Sequence, residues 1–572
     1  MKWALGILKP LTKRIAVGTS IKIIGTVAEL MIPFLLSHIL ENVIVNNNVS
    51  EIVLFGILMA VCAVIAGAGN VIANRMAAKT TMLFSRKMRH DLFSRTLDLS
   101  ARRTDHFTIP SLEARITSDT YNVQNFIGMM QRMGIRAPIL LLGGTAITMI
   151  MDRRLALVML ATAPLIFIVV YSISRKGVPL YSDVQKSVDG MVRVVREDAQ
   201  GIRVIKALSK VDYENDRYER ANIALRKNET KAGIIMGIVN PVMTLFMNMG
   251  IVAVVAVSAY LVSSGISSAT TVIAFMQYFT LISMAMMSLS RMFVSYTKCA
   301  ASANRISLVM DSVSELKGIE DDGLGDKSLH ISFESVSFSY LGKANNIKNL
   351  SFELKKGETL GIIGATGSGK STVLKLLMRF YDTDSGKIRI NGRDVRSYSR
   401  EELTSLFGVV LQNDFLYADT IEENIRFGRD ISREDIERAA KIAQAHDFIT
   451  SFSEGYSREI SAGGTNLSGG QRQRVLISRA IAGHPEILIL DDSSSALDYK
   501  TDASLRLALS ESFPDTTVIT VAQRVSSVKG CDLILVVENG EVIGCGKHDE
   551  LMASCSEYKE ISDSQMGGAF LD

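Results

Sequence analysis

Residues 466–498 read NLSGGQRQRVLISRAIAGHPEILILDDSSSALD, and this stretch decides the fold of the carboxy-terminal half of the chain. A glycine turn opens a basic helix, and a loop follows the helix. The apolar residues 487–490 then predict a strand buried on both faces, because such strands read as continuous apolar runs. That strand delivers two carboxylates, Asp491 and Asp492, to its end.

A strand, a glycine-rich loop and a helix are predicted upstream of this stretch. Apolar residues 359–363 precede GATGSGKS at 364–371, and a helical pattern follows at 372–380. This is the phosphate-loop pattern in its required context. Its glycines let backbone N–H groups curl round a phosphate. Lys370 would supply positive charge to the phosphates, and Asp491 would hold a magnesium ion through water.

Composition predicts a membrane half followed by a soluble half. At 572 residues the chain is too long for a single core, so we expect at least two domains. Hydrophobic residues make up 47% of it, and the long apolar runs lie in the amino-terminal half. The net charge of +4 is too small to indicate a nucleic-acid partner, and the five cysteines lack metal-ligand spacing.

Six membrane spans are predicted in the amino-terminal half. Their ranges are 15–45, one that starts with 52–73, one that ends with 137–151, 155–173, and the two parts of the uncharged run 232–290, divided by the polar residues 263–268. Basic residues fill the long connections after the second and fourth spans, which places those connections and both termini in the cytoplasm. The first fourteen residues are basic without a cleavage site, so we expect an interfacial helix there.

Glu29 is the clearest ionisable residue inside a span. Such a group is costly unless it finds a partner. Lys22 lies two turns earlier on the same helix face, and Arg136 in the third span is a second candidate. Glu29 is either a cavity carboxylate that attracts cationic cargo or part of an ion pair or hydrogen bond inside the bundle, and we favour the second interpretation.

Residues 467–471, LSGGQ, resemble the signature motif of ATP-binding cassette (ABC) transporters, a highly specific motif. Tyr340 matches the adenine-stacking aromatic of that family, Gln412 matches its Q-loop, and residues 494–498 match its D-loop. The membrane half is similar to the six-helix exporter type. The resemblance covers essentially the whole chain.

The resemblance implies an α-helical transmembrane domain of six spans followed by an α/β P-loop nucleotide-binding domain. We expect the transmembrane domain at 1–316, a linker at 317–329 and the nucleotide-binding domain at 330–572. The family works as a dimer with swapped helices, in which ATP lies between the phosphate loop of one domain and the signature of the other. Short cytoplasmic helices near 109–115 and 206–214 would couple ATP binding to the membrane half.

The resemblance also assigns residues to ATP and Mg²⁺, the expected cofactors. The expected nucleotide contacts are Tyr340, Gly364, Thr366, Gly367, Ser368, Gly369, Lys370, Ser371, Thr372, Gln412, Ser468, Gly470 and Gln471. The expected metal ligands are Ser371, Gln412 and Asp491.

Two catalytic positions depart from the family pattern. Hydrolytic members carry a glutamate where this chain has Asp492, whose carboxylate lies about 1.5 Å nearer the backbone. Misplacement of about 1 Å costs on the order of 100-fold in rate. Hydrolytic members also carry a histidine where this chain has Gln523, and glutamine cannot carry a charge. We therefore expect a degenerate ATP site, although hydrolysis that tolerates both changes is an alternative.

The intact signature beside an altered catalytic pair favours a heterodimer, in which Ser468 and Gly470 complete the competent site of a second subunit. The segment 461–464, SAGG, also departs from the charged exporter pattern, so no coupling role is carried over to it. We expect a heterodimeric exporter of small amphipathic drug-like or lipid-like compounds in a bacterial plasma membrane. The alternatives are a homodimeric lipid or drug exporter that hydrolyses ATP with Asp492, and a regulatory membrane protein that uses ATP as a clamp without pumping.

Overall fold

The computed structural model describes residues 2–44, 46, 48–264, 269–312, 316, 318–342, 344–493 and 496–567. The chain forms two compact units. The membrane unit consists of Met1–Leu97 and Ile109–Ser312, and the nucleotide-binding unit of Asp98–Thr108 and Val313–Asp572.

The amino-terminal half forms long helices. They are α1 (Lys2–Leu8), α2 (Thr12–His38), α3 (Val49–Leu97), α4 (Ala101–Phe107), α5 (Ile109–Ala114), α6 (Thr120–Met151), α7 (Arg153–Ala207), α8 (Val211–Gly237), α9 (Val239–Ser263) and α10 (Ala269–Met310). A 3-10 turn joins α1 to α2, and π-helical turns extend α2 and join α5 to α6. The helix expected at the amino terminus is α1.

Five helical stretches of the described residues are long and apolar enough to cross a bilayer. They are Trp3–Val43, Val49–Leu97, Ile109–Met151, Thr244–Ser263 and Thr270–Met310. These stretches correspond to the first, second, third, fifth and sixth predicted spans. The fourth predicted span, 155–173, lies in α7, where the backbone is helical but several side chains from 162 onward lie outside the described residues. Residues 265–268 of the predicted last turn also lie outside them.

Small residues and one buried hydroxyl fix the packing of the membrane helices. A Cβ added to Gly69 on α3 would come within 3.2 Å of the Cα of Gly25 on α2, so glycine lets these two backbones approach closely. The buried Tyr278 on α10 donates a 2.6 Å hydrogen bond to the carbonyl oxygen of Leu30 on α2. These contacts set the register of α2 against α3 and α10.

The carboxy-terminal half alternates strands and helices. The strands are β1 (Ile331–Phe338), β2 (Ile347–Leu354), β3 (Thr359–Ile363), β4 (Ser385–Ile390), β5 (Arg393–Asp394), β6 (Phe407–Val410), β7 (Asp419–Thr420), β8 (Glu459–Ile460), β9 (Ile487–Asp491), β10 (Thr517–Val521), β11 (Leu533–Glu538) and β12 (Glu541–Gly546). The helices are α11 (Lys370–Leu377), α12 (Arg400–Ser405), α13 (Ile421–Arg426), α14 (Arg433–Ile442), α15 (His446–Thr450), α16 (Gly469–Ile481), α17 (Tyr499–Ser512), α18 (Val525–Val528), α19 (His548–Ser554) and α20 (Ser556–Gly567).

A six-stranded sheet in the order β12-β11-β3-β10-β9-β6 forms the centre of the nucleotide-binding unit. Its strands run parallel except for β12. Every residue of β9 is buried, as its continuous apolar run predicts. Strand β3 has the predicted bounds, and β9 extends the predicted 487–490 by one residue, so Asp491 is the last residue of the strand.

The described part of the segment expected to join the two units, 318–329, has no helix or strand and is attached to the rest of the nucleotide-binding unit by ion pairs. Arg389 donates to both carboxylate oxygens of Asp322 at 2.7 and 2.8 Å, and Lys387 donates to the same carboxylate at 2.7 Å. The Arg389 guanidinium, followed by Lys387, holds the pKa of Asp322 well below its usual range. These ion pairs from Asp322 to two residues of β4 attach the segment to the sheet.

Helix α4 packs with the nucleotide-binding unit, although it lies between two membrane helices in the sequence. The hydroxyl of Ser100 caps its first turn, and Thr108 ends it with a φ of +62°, which turns the chain sharply. Tyr381 donates a 2.5 Å hydrogen bond to the carboxylate of Asp105. The segment that groups with the nucleotide-binding unit is thus one helix earlier than 109–115, and the coupling role of 109–115 and 206–214 stays a prediction.

Candidate functional site

A cleft of ≈ 330 Å³ opens where β3, β9 and β10 end. The parallel register pairs Val521 with both Ile362 and Asp491, so the segments that follow these strands meet at one edge of the sheet. The described residues that line the cleft are Tyr340, Asn346, Thr366, Gly367, Gly369, Lys370, Ser371, Thr372, Lys375, Gln412, Asp491, Asp492, Val521, Ala522 and Gln523. The sheet thus gathers residues from distant parts of the sequence.

The phosphate loop has a backbone that only glycine permits at two positions. Gly364 has a φ of +155°, and a Cβ there would lie 2.1 Å from the carbonyl oxygen of Val537. Gly369 has a φ of +110°, and a Cβ there would lie 3.0 Å from the carbonyl oxygen of Asn346. The hydroxyl of Ser368 is buried without a hydrogen-bond partner among the described residues. This cradle fits a phosphate group.

Lys370 already points into this loop. Its Nζ donates to the carbonyl oxygens of Gly364 at 2.8 Å and Ala365 at 2.7 Å. Burial lowers the pKa of Lys370, and the nearby carboxylates of Asp491 and Asp492 oppose that shift. A bound phosphate would offer this ammonium group charged acceptors in place of neutral carbonyl oxygens.

Asp491 is a buried carboxylate at the end of β9. Burial raises its pKa, and a hydrogen bond from Ser371 opposes the rise. Ser371, Gln412 and Asp491 line the same cleft and offer the oxygen ligands that Mg²⁺ prefers. Among the described residues there is no cluster of three or more His, Cys, Asp or Glu side chains that could hold a metal. A magnesium ion here would therefore take further ligands from phosphate and water.

The two altered positions, Asp492 and Gln523, contact each other in the cleft. Gln523 Nε2 donates a 3.2 Å hydrogen bond to Oδ2 of Asp492. Asp492 has a φ of +52°, and its backbone N–H donates to the carbonyl oxygen of Val521 at 2.9 Å. Burial raises the pKa of Asp492, while Lys370 is the main group that lowers it. One carboxylate oxygen is thus occupied by a neutral amide.

Tyr340 follows β1 and lies at the edge of the cleft beside α11. Its hydroxyl donates to Oγ1 of Thr372 at 3.2 Å. Its ring packs edge-on against Tyr381, with centroids 5.1 Å apart, and against Phe338, with centroids 4.9 Å apart. An aromatic ring held in this way suits the stacking of a planar base.

The signature residues lie elsewhere in the unit. Ser468 is the N-cap of α16, and it forms a reciprocal capping box with Gln471, with hydrogen bonds of 3.0 and 3.3 Å. Ser468 is exposed, and none of the described cleft-lining residues comes from 467–471. The electropositive start of α16 therefore faces outward. Residues 494 and 495 of the predicted D-loop lie outside the described residues.

The structure adds contacts that sequence reasoning missed. Asn346 and Lys375 line the cleft, and Arg479 on α16 donates to the carbonyl oxygens of Asn424 at 2.7 Å and Phe415 at 2.9 Å. Arg479 therefore ties the segment that follows Gln412 to the signature helix. It is one of several arginines in a basic helix, so no sequence pattern distinguishes it.

The segment 461–464 is tied to the same region. The backbone N–H of Gly463 donates to the carbonyl oxygen of Leu416 at 2.8 Å, and Gly463 and Gly464 have φ values of +74° and +68°. Where the exporter pattern has charged side chains, this segment has glycines, and its contact with Leu416 is made by the backbone.

Comparison with known proteins agrees with this architecture. The family profile "ABC transporter transmembrane region" matches residues 15–286, and the profile "ABC transporter" matches residues 347–495. The Bacillus subtilis (strain 168) protein "Uncharacterized ABC transporter ATP-binding protein YfiB" is 34% identical over 570 residues, 99% of each chain. This chain is an ABC transporter. It carries an ATP-binding domain and belongs to the ATPase-coupled transporters.

Further similarities extend over the whole transporter. The Mycobacterium tuberculosis (strain ATCC 25618 / H37Rv) protein "Uncharacterized ABC transporter ATP-binding protein Rv1273c" is 30% identical over 98% of this chain and 97% of its own length. A structure described as a bacterial Atm1-family ABC exporter with ATP bound superposes with a TM-score of 0.84 at 23% identity, over 97% of this chain and 98% of the other. The predicted fold class is confirmed. The transporter is a multi-pass membrane protein with a cytoplasmic nucleotide-binding domain, and transporters of this family act as dimers in a bilayer.

Proposed function

We propose that this transporter is one subunit of a heterodimeric exporter in a bacterial plasma membrane. It moves amphipathic drug-like or lipid-like compounds out of the cell. Its own site binds ATP with Mg²⁺ and turns over slowly, whereas its signature completes the competent site of the second subunit. The hydrogen bond between Asp492 and Gln523 is the observation that carries this proposal.

Slow turnover follows from the groups that face the attacking water. A general base must lie within hydrogen-bond reach of that water. The carboxylate of Asp492 is one methylene short of the family's glutamate, and one of its oxygens accepts from Gln523. The amide of Gln523 also supplies no positive charge to the γ-phosphate. Both the general base and the positive charge that would stabilise the transition state of hydrolysis are therefore impaired.

Nucleotide binding at the same site is supported independently. The glycine cradle of the phosphate loop, the ammonium group of Lys370 and the oxygen atoms of Ser371 and Asp491 are all in place. Lys370 and Ser371 would contact the phosphates and the magnesium ion, and Gln412 and Asp491 would complete the metal's protein ligands. These groups are distinct from Asp492 and Gln523, so binding and hydrolysis can be tested separately.

The outward position of the signature supports a second chain. Ser468 is exposed, and its capping box holds the start of α16 in an open, electropositive position. In a homodimer this intact surface would complete a site that carries Asp492 and Gln523. In a heterodimer it would complete a site that carries the family's glutamate and histidine. The intact signature would then contribute to rapid ATP hydrolysis.

Lys370→Ala tests the proposal on the transporter copurified with its second subunit. Labelling of this chain by 8-azido-ATP should fall at least about tenfold, because the loop loses its only lysine, while ATPase activity of the complex should fall less than about fivefold. The equivalent substitution in the second subunit should abolish ATPase activity and transport into inside-out vesicles. Lys529→Ala, at an exposed lysine of the same unit, is the matched control.

The homodimeric alternative makes the opposite prediction. The chain purified alone would show robust ATPase activity that both Lys370→Ala and Asp492→Asn abolish. A complex that binds ATP without transport in vesicles would instead support the regulatory alternative.

A further inference from the structure

Charged side chains cluster inside the membrane unit. Three cations, Lys22 on α2 and Arg132 and Arg136 on α6, lie near one carboxylate, Glu29 on α2. Ionisable groups within spanning helices are costly and mark functional sites by default.

Glu29 is already neutralised. Arg136 donates to both of its oxygens, Nε to Oε2 at 3.2 Å and Nη2 to Oε1 at 2.5 Å. This bidentate geometry is the strong form of the arginine–carboxylate pair. It confirms the ion-pair interpretation of Glu29 and identifies Arg136 as the partner. Glu29 therefore presents no free negative charge to a cationic cargo.

Lys22 is buried, with 3% of its surface exposed, and has no carboxylate partner of its own among the described residues. Its Nζ donates to the side-chain oxygens of Asn70 at 2.7 Å and Asn74 at 3.1 Å on α3. Amide oxygens satisfy the hydrogen bonds of an ammonium group without cancelling its charge. The positive charge of Lys22 thus remains in the protein interior.

Arg132 adds further uncompensated charge. Its Nε donates to the carbonyl oxygen of Gly128 at 3.0 Å, and the residue is exposed. Arg132 forms no salt bridge with a described residue. With the single carboxylate of Glu29 paired to Arg136, the cluster as a whole is positive.

The cluster lies inside the candidate spanning stretches Trp3–Val43 and Ile109–Met151. At about 1.5 Å per residue, Glu29 is roughly 21 Å and Lys22 roughly 32 Å from Val43. Measured from Met151, Arg136 is about 22 Å away. A hydrocarbon core is about 30 Å thick, so Glu29 and Arg136 lie within one membrane thickness of these helix ends.

A small recess of ≈ 30 Å³ adjoins the cluster at Arg136, which lines it together with Met133, Leu140, Met284 and Ser288. Its volume admits only a small group, but its methionine side chains adapt to ligands of different shape. The positive cluster thus lies beside adaptable apolar side chains, and this combination suits a molecule with an anionic head and an apolar body.

We infer that this cluster binds the head of the cargo and that the transporter selects amphipaths bearing a carboxylate, sulfonate or phosphate. Guanidinium and ammonium groups are the side chains that recognise these anions. A cationic amphipath would meet net repulsion at the same depth. This inference rests on the proposed export function and specifies its substrate class.

ATP-free binding of two matched fluorescent probes tests the inference. The complex is placed in phosphatidylcholine nanodiscs and titrated with 11-(dansylamino)undecanoate and with its uncharged methyl ester. The anion should bind at least about tenfold more tightly than the ester. Lys22→Met and Arg132→Gln should each weaken anion binding by about tenfold and leave ester binding unchanged.

Two further variants separate charge from folding. Lys22→Arg keeps the charge and should restore the preference for the anion. The double variant Glu29→Gln with Arg136→Gln removes two charged groups without changing the net charge, so the preference should survive within about threefold. Equal affinity of the wild-type complex for the two probes would overturn the inference, as would equal weakening of both probes by Lys22→Met and Arg132→Gln.

Competition distinguishes the source of the anion. Displacement of the dansyl probe by phosphatidylglycerol in the nanodisc would support a membrane lipid as the cargo. Displacement by soluble dodecyl sulfate alone would support an amphipath that enters from the cytoplasm. Because binding is measured without ATP, ATP-driven transport without anion preference overturns only this inference. Anion preference without ATP-driven transport overturns the proposed function.

Discussion

The two ends of residues 466–498 differ in solvent exposure and in how well they match the family's motifs. At the first end Ser468 is exposed and its capping box is intact. At the second end Asp491 is buried, and Asp492 accepts a hydrogen bond from Gln523 within the cleft. The buried end lines the cleft beside this chain's own phosphate loop, whereas no described cleft-lining residue comes from the exposed end. Under the proposed function, the two ends of this one stretch therefore serve two different ATP molecules.

Substitution at the exposed end should have the largest effect. Ser468→Arg removes the capping box and adds bulk and positive charge at the start of α16, where the family arrangement places the second subunit's ATP. ATPase activity of the complex should fall more than about 100-fold in a steady-state assay. Azido-ATP labelling of this chain's own site should not change.

Ser554→Arg, the same substitution at an exposed serine of α19, is the matched control and should leave ATPase activity unchanged. Full activity of the Ser468→Arg complex would show that the signature completes no ATP site.

Substitution at the buried end should have a smaller effect, which should appear in the pH dependence of thermal stability. Burial raises the pKa of Asp491, so the folded state binds this proton more tightly than the unfolded state does. The stability that this proton contributes is complete below the ordinary aspartate pKa of about 3.9 and is lost as the pH rises through the folded pKa. Asp491→Asn should therefore raise the Tm of the nucleotide-free protein at neutral pH and flatten its decline from acidic pH.

The same variant should lose the stabilisation that Mg-ATP gives the wild type, because the metal loses a ligand. Asp515→Asn, at an exposed aspartate, is the control for differential scanning fluorimetry. A lower Tm for Asp491→Asn at neutral pH, without nucleotide, would contradict the account of its burial.

The sequence predicted the parts of the site that rest on local pattern. The bounds of β3 follow from its apolar run, and the position of Asp491 follows from that of β9. The contact between Asp492 and Gln523 depends on the register that pairs Val521 with Asp491, and no local pattern encodes that pairing. Each residue could be singled out, but their hydrogen bond could not.

Helix-to-helix register limited the prediction in the membrane unit as well. The sequence offered Lys22 and Arg136 as equal candidates to pair with Glu29, because either could reach it. The packing of α2 against α6 selects Arg136 and leaves Lys22 to the asparagines of α3. The grouping of α4 with the nucleotide-binding unit was missed for a similar reason, since the cap at Ser100 looks like any other serine before a short helix.

The most direct test of the account is to repair the buried end while the second subunit's site is silenced. In a complex whose second subunit carries glutamine in place of its catalytic glutamate, ATP hydrolysis depends on this chain's site alone. Asp492→Glu with Gln523→His should raise ATPase activity of that complex at least about tenfold above the unrepaired complex. An unrepaired complex that already hydrolyses ATP at the wild-type rate, or a repaired one with no gain, would contradict the assignment of slow turnover to Asp492 and Gln523.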